Sequence, residues 1–186
     1  MDVTISVKLL FGLVASALAL IAANDTSIDK LKGYRSWHLV TPQPVDMTPT
    51  ISLSCVGPSK WDMAPNPHSR RIFRVFVNKT GKEGLLSDGK KPFPVGSMIV
   101  KEKYLRPGGG KDWEPVKLAE DAKPELLTAM VKREKGFDPK NGDWEYIVIA
   151  GDLSKKTNEG IEHCAKCHLS RKNQGFVFGS YGKLIR

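Results

Sequence analysis

The sequence predicts a mainly β domain of the α+β class: an antiparallel sheet with a few helices, one of them C-terminal and carrying the most reactive residues of the chain. Three observations lead there. Over 71–78, "RIFRVFVN" alternates so that Phe73, Val75 and Val77 share one face while Ile72, Arg74 and Phe76 share the other. The segment "LLTAMVKREKGFDPKNGDWEYIVIAG" reads as two strands joined by a long turn-rich loop. The best helical pattern in the second half of the chain is confined to "SKKTNEGIEHCAKCHLS". At 186 residues and 40% hydrophobic content the chain suits one domain with a real core.

Taken in order, the elements begin with Lys8 and "LLFGLVASALALIAA", an apolar run of signal-peptide length that ends in small residues and is followed by polar "NDTS". Residues 1–23 are read as a signal cleaved near Ala23, with Ala22 beside it, leaving 24–186 as the mature domain in the periplasm or secreted. An uncleaved membrane anchor is the alternative, but the run falls short of the roughly 20 apolar residues a span requires. "TSIDKLKGYRSWHLVT" gives a short helix capped by Thr26 or Ser27 and then a strand from about Ser36 to Val40. Six prolines between Pro42 and Pro67 predict an extended surface connection. After the strand at 71–78, "KTGKEGLLSDGKKPFPVGS" is turn-rich and leads into a strand from Met98 to Leu105, followed by a "PGGG" tip. Leu126 to Arg133 then pairs with Trp144 to Ala150. Leu, Ala, Met and Lys in the first arm also suit a helix, but the β-rich "WEYIVI" favours the strand. "GFVFGSYG" reads as a short closing strand. Neither internal repeats nor low-complexity tracts are present.

Lys and Arg outnumber Asp and Glu 29 to 20, for a formal net charge of +9. The positive residues are interspersed with acidic ones, so the charge reads as solvation or attraction to an acidic partner or a negatively charged cofactor, not as nucleic-acid binding. Three cysteines are too few, and odd in number, for a disulfide framework in an exported domain of this size.

Cys164, Cys167 and His168 form a Cys-x-x-Cys-His run only eighteen residues (186 − 168) from the C-terminus. On a helix, residues three apart lie on one side, so both thiols reach the same flat object and the imidazole stands beside them. That suits a porphyrin, with each thiol added to one vinyl group and His168 reaching the iron from one face. Covalent attachment of this kind agrees with export. A thioredoxin-like dithiol would open a helix in a βαβ setting, which the sequence lacks. Zinc would require two further ligands, from His163, His168 or Cys55 in poor geometry. Small helical electron carriers place the motif early with a methionine ligand after it, whereas here no methionine follows Met130. Four-helix haem proteins place it last but are helical throughout.

The segments "RVFVN", "FPVGSMIVKE", "MVKREKGFDPKNGDWEY" and "CAKCH", in that order and followed by "VFGSYG", make the chain similar to the cytochrome P-460 family, which includes the cytochromes c′-beta, from about Gly33 to Tyr181. The resemblance implies a mainly β fold, usually a homodimer, with one covalently attached haem c whose iron carries a histidine on one side and is open on the other. In the members that give the family its name, a lysine is joined to the porphyrin edge and hydroxylamine is oxidised to nitrogen oxides. The c′-beta relatives lack that bond and bind nitric oxide or carbon monoxide. The family's lysine falls on Lys101, which shares a strand face with Lys103, and the bland reading is a solvated lysine. The family's distal carboxylate falls near Thr128, where no acid stands. Glu102 or Glu134 is then a candidate base, since removal of the substrate's protons needs one within reach.

Among other residues, Arg74 is a charged side chain between apolar neighbours and a candidate to contact a haem propionate or a bound anion; an edge arginine reaching solvent is the alternative. Phe73, Phe76, Met98 and Met130 are candidates for the distal wall, although aromatic and methionine residues on strands more often serve as core. His38, His68 and His163 read as structural and Cys55 as a lone thiol. The expected function is a haem protein acting on hydroxylamine or nitric oxide, with a redox partner protein. A mono-haem electron carrier with both axial positions filled is the alternative.

Overall fold

The computed structural model describes residues 26–46, 71–105, 117–157 and 161–179. The apolar N-terminal run read as a signal, Cys55, His68, the "PGGG" tip and most of the proline-rich connection lie outside them. Within them, the sheet is antiparallel and has seven strands: β1 (His38–Leu39), β2 (Val45–Asp46), β3 (Arg71–Val77), β4 (Met98–Leu105), β5 (Leu126–Lys132), β6 (Trp144–Ala150) and β7 (Lys156–Thr157). Its order is β1-β3-β4-β5-β6-β7, with β2 also pairing β3. The four long strands are consecutive neighbours; β3, β4 and β6 carry β-branched and aromatic residues that fit a pleated, packed surface, and β5 is held as a strand by its pairing with β4 and β6 on either side. Helices are α1 (Thr26–Leu31), α2 (Lys82–Leu86) and α3 (Ile161–Leu169).

The alternation read from the sequence divides the core in two. One face carries Phe73, Val75, Val77, Ile99, Met130, Trp144 and Tyr146, against which Leu85 and Phe93 pack from the β3–β4 connection and Ile161, Cys164 and Ala165 from α3. The other carries Phe76, Val100, Leu127, Ala129, Ile147 and Ile149, packed beneath Leu31 and Tyr34. The architecture is thus a sheet between two unlike covers, with the helix bearing the cysteines on one side only.

Local sequence explains the connections. Asn78 closes the turn after β3 by accepting from the backbone N–H groups of Gly81 and Met98 through Oδ1 and donating to the Gly96 carbonyl through Nδ2. In the β5–β6 hairpin, Asp143 accepts from the N–H groups of Gly136 and Asp138 and holds the long loop against the strand ends.

Several expectations are corrected. The turn-rich segment after β3 contains α2. Residues 34–36 form a 3₁₀ turn, which leaves only His38–Leu39 of the first strand. The C-terminal helix begins at Ile161, because Lys156–Thr157 pairs with β6 instead. "GFVFG" is not a strand: Gly175 and Phe176 have φ of 65° and 64°, and the Phe176 N–H donates back to the Arg171 carbonyl, so the chain turns where a strand would extend.

On the face away from α3, Glu102 is 1% exposed and accepts from Tyr34 Oη (2.6 Å), Tyr104 Oη (2.5 Å) and Arg35 Nε (2.7 Å). Burial and the hydrogen bonds to this carboxylate push both phenols well above the ordinary tyrosine range. Glu102→Ala strands the two buried phenol donors, leaves Arg35 to solvent, and is expected to cost about 3 kcal/mol in chemical denaturation. Glu102→Gln, which keeps an acceptor, should cost distinctly less. A loss below about 1 kcal/mol for the alanine variant would contradict the role given to this network.

Candidate functional site

The site is built on α3, where Cys164 and Cys167 are one turn apart and His168 follows directly. Neither cysteine is in a disulfide. Burial raises the Cys164 thiol above its usual range, with Lys103 acting in the opposite direction from the sheet.

His168 is held from three sides. Its Nδ1 lies 2.7 Å from the Phe176 carbonyl oxygen. A carbonyl only accepts, so Nδ1 carries the proton and the lone pair is left on Nε2, the arrangement a metal-ligating imidazole needs. The ring packs against Tyr146 (centroids 5.2 Å apart) and edge-on against Phe178 (5.1 Å, 86°), and the Arg171 guanidinium covers the Phe178 ring at 4.7 Å. Removal from water, reinforced by Lys101 and Lys103, lowers the His168 pKa to about 4, against the hydrogen bond to Phe176. The imidazole is therefore neutral near pH 7 and available as a donor.

The Phe176 carbonyl is in place because the chain reverses just after α3. A 3₁₀ turn at Lys172–Gln174 is followed by two left-handed residues, Gly175 and Phe176. A bulky residue in that conformation is strained and persists only where its surroundings fix it. Here Trp144 Nε1 donates to the Gly175 carbonyl at 2.9 Å. The Phe176 ring is buried so close to Gly142 that a Cβ there would lie 2.4 Å from it.

Strand register determines what faces α3. Lys101 pairs across β4–β5 with Thr128, and Lys103 with Leu126. Both lysines share a face with Phe73, Met130 and Tyr146, while Glu102 between them points away. The solvated-lysine reading is corrected for this face: Lys103 is 0% exposed and Lys101 only partly exposed, its ammonium 4.8 Å from the centre of the Phe73 ring. Of the two candidate bases, Glu102 is locked on the far side and Glu134 is exposed in the hairpin loop. Alternation along β3 also turns Arg74 to the far face, where its guanidinium lies 5.9 Å from the Tyr104 ring centre. The structure does not bring it to His168. Phe73 and Met130 face the helix, whereas Phe76 and Met98 belong to the opposite cluster. His38 and His163 are exposed.

These residues fit a haem. Two thiols and one neutral imidazole on adjacent turns are its attachment and ligand set. Tyr146, only 7% exposed, has a buried hydroxyl without a hydrogen-bond partner among the described residues, and the groups that act on it electrostatically are Cys164, Asp138 and Cys167. A buried hydroxyl left unmade is costly, and it marks a place completed by something other than the chain. A stand-alone metal ion fits less well: among the described residues, no group of three or more His, Cys, Asp or Glu side chains is arranged to hold one. Tyr146, Phe176, Phe178 and Trp144 were not singled out by sequence; Gly175, a few residues beyond the helical run, was the available sign of a left-handed turn there.

Comparison with known families agrees with this geometry. The family model for Cytochrome P460 matches residues 31–179, most of the chain, and the protein belongs to that family. No curated protein matches it significantly. The family accounts for a c-type haem cytochrome concerned with nitrogen compounds.

The turn that places Phe176 should be intolerant of a side chain at Gly175, where φ is 65° and a Cβ would lie 2.9 Å from the Phe93 ring. Gly175→Ala is expected to cost about 1–3 kcal/mol in thermal or chemical denaturation. A neutral result would show that the turn is not the fixed element described.

Proposed function

We propose that this member of the cytochrome P460 family is an exported c-type haem protein with one open axial position, at which it binds nitric oxide. The observation that carries the reading is the pairing of a ligand-ready His168 with a sheet face that bears Lys101, Lys103, Thr128, Phe73 and Met130 but, on the described strands, no carboxylate. Cys164 and Cys167 would hold the porphyrin as thioethers, and His168 Nε2 would be the protein's one axial ligand. Bound haem supplies the iron and its one-electron chemistry. Phe73 and Met130 keep water away, which is enough for a neutral diatomic. Export rests on the apolar N-terminal run. A homodimer and a redox partner protein are proposed by analogy with the family.

Hydroxylamine oxidation is the second reading, favoured by Lys101 on the helix-covered face, where the family's bonded lysine would stand. That reaction must shed protons to a base within hydrogen-bond reach. Thr128 stands opposite Lys101 where an acid would be required, and Glu102 is engaged elsewhere.

Protein matured in a host that attaches haem c is expected to gain the mass of one haem that survives denaturation. Its ferrous absorption spectrum should change on adding nitric oxide or carbon monoxide. Colourless protein would end the haem reading, and a spectrum indifferent to both gases would favour the electron carrier with two protein ligands. Lys101→Ala should leave the ferrous spectrum in place. Loss of a red-shifted Soret band in that variant, together with loss of hydroxylamine turnover, would instead establish the oxidising version.

A further inference from the structure

We infer that Trp144 is a positioning residue of the haem centre, acting on His168 through the strained Gly175–Phe176 turn. This rests on the haem reading above and adds to it a residue one step removed from the ligand. The connection is continuous. Trp144 Nε1 donates to the Gly175 carbonyl at 2.9 Å, Gly175 leads into Phe176 at φ 64°, and the Phe176 carbonyl accepts from His168 Nδ1 at 2.7 Å. Trp144 is itself immobilised: it is 1% exposed and packs edge-on against Phe93, with centroids 5.2 Å apart. Phe93 in turn closes the space beside Gly175.

The indole N–H matters because a left-handed phenylalanine relaxes towards ordinary φ unless something opposes it. That relaxation would rotate the Phe176 peptide and draw its oxygen away from Nδ1. The strength of the Nδ1–H···O bond determines how much electron density the imidazole offers a metal at Nε2: a stronger bond gives the ring more imidazolate character, a stronger bond to iron and a lower reduction potential. By fixing the peptide, Trp144 fixes the donor strength of His168 without touching it.

The test is Trp144→Phe in the full-length holoprotein, which retains an aromatic ring against Phe93 and removes the N–H. Resonance Raman of the ferrous, ligand-free protein should show the iron–histidine stretch at lower frequency than in the wild type, and the reduction potential should rise. Packing loss alone would lower the melting temperature and leave both readouts where they were. Should the variant fail to accumulate, β-(3-benzothienyl)alanine at position 144 keeps the indole's shape without its donor and is expected to produce the same two shifts. Coloured protein with unchanged stretch and unchanged potential overturns the inference while leaving the haem reading intact. Protein from which no iron–histidine stretch arises even in the wild type overturns both.

Discussion

The hydrogen bond from His168 Nδ1 to the Phe176 carbonyl is the constraint on which the rest of the site depends. It decides which ring nitrogen keeps its lone pair free, it orients the imidazole on α3, and it requires the chain to reverse within eight residues of His168. The chain therefore has to return just after α3 with the acceptor in place. The residues after the motif do this with a 3₁₀ turn and two left-handed residues.

The second constraint is the period of two along β4. Ile99, Lys101 and Lys103 face α3, while Val100, Glu102 and Tyr104 face the opposite way. One strand therefore delivers the buried Lys103 and the half-buried Lys101 to the side of α3 and a buried carboxylate to the other, where Tyr34, Arg35 and Tyr104 engage it. A one-residue slip would exchange the two faces and place an acid beside His168. The hydrogen-bonded Glu102 network resists such a slip and so contributes to the character of a site it does not touch.

Much of this was legible in the sequence because it is periodic or motif-like. Alternation gave β3 and the division of Phe73 from Arg74, β-rich composition and turn signals gave β4 and the β5–β6 pair, and the helical pattern around the cysteines gave α3. Less legible were features made by contacts distant in sequence. Trp144 and Gly175 are 31 residues apart, and Tyr34 reaches Glu102 across 68, so no local pattern announces either. "GFVFG" reads as a strand because Phe and Val favour one, yet tertiary contacts from Trp144 and His168 hold it in a turn. Arg74 was singled out for its apolar neighbours along the chain, but what it faces is determined by the sheet.

In the proposed reading His168 is the single protein ligand of an iron that is open on its other side. The most direct measurement is the coordination and spin state of the ferrous holoprotein with no gas added, read from its resonance Raman marker bands. A five-coordinate, high-spin iron is expected. A six-coordinate, low-spin iron in the absence of added ligand would contradict it.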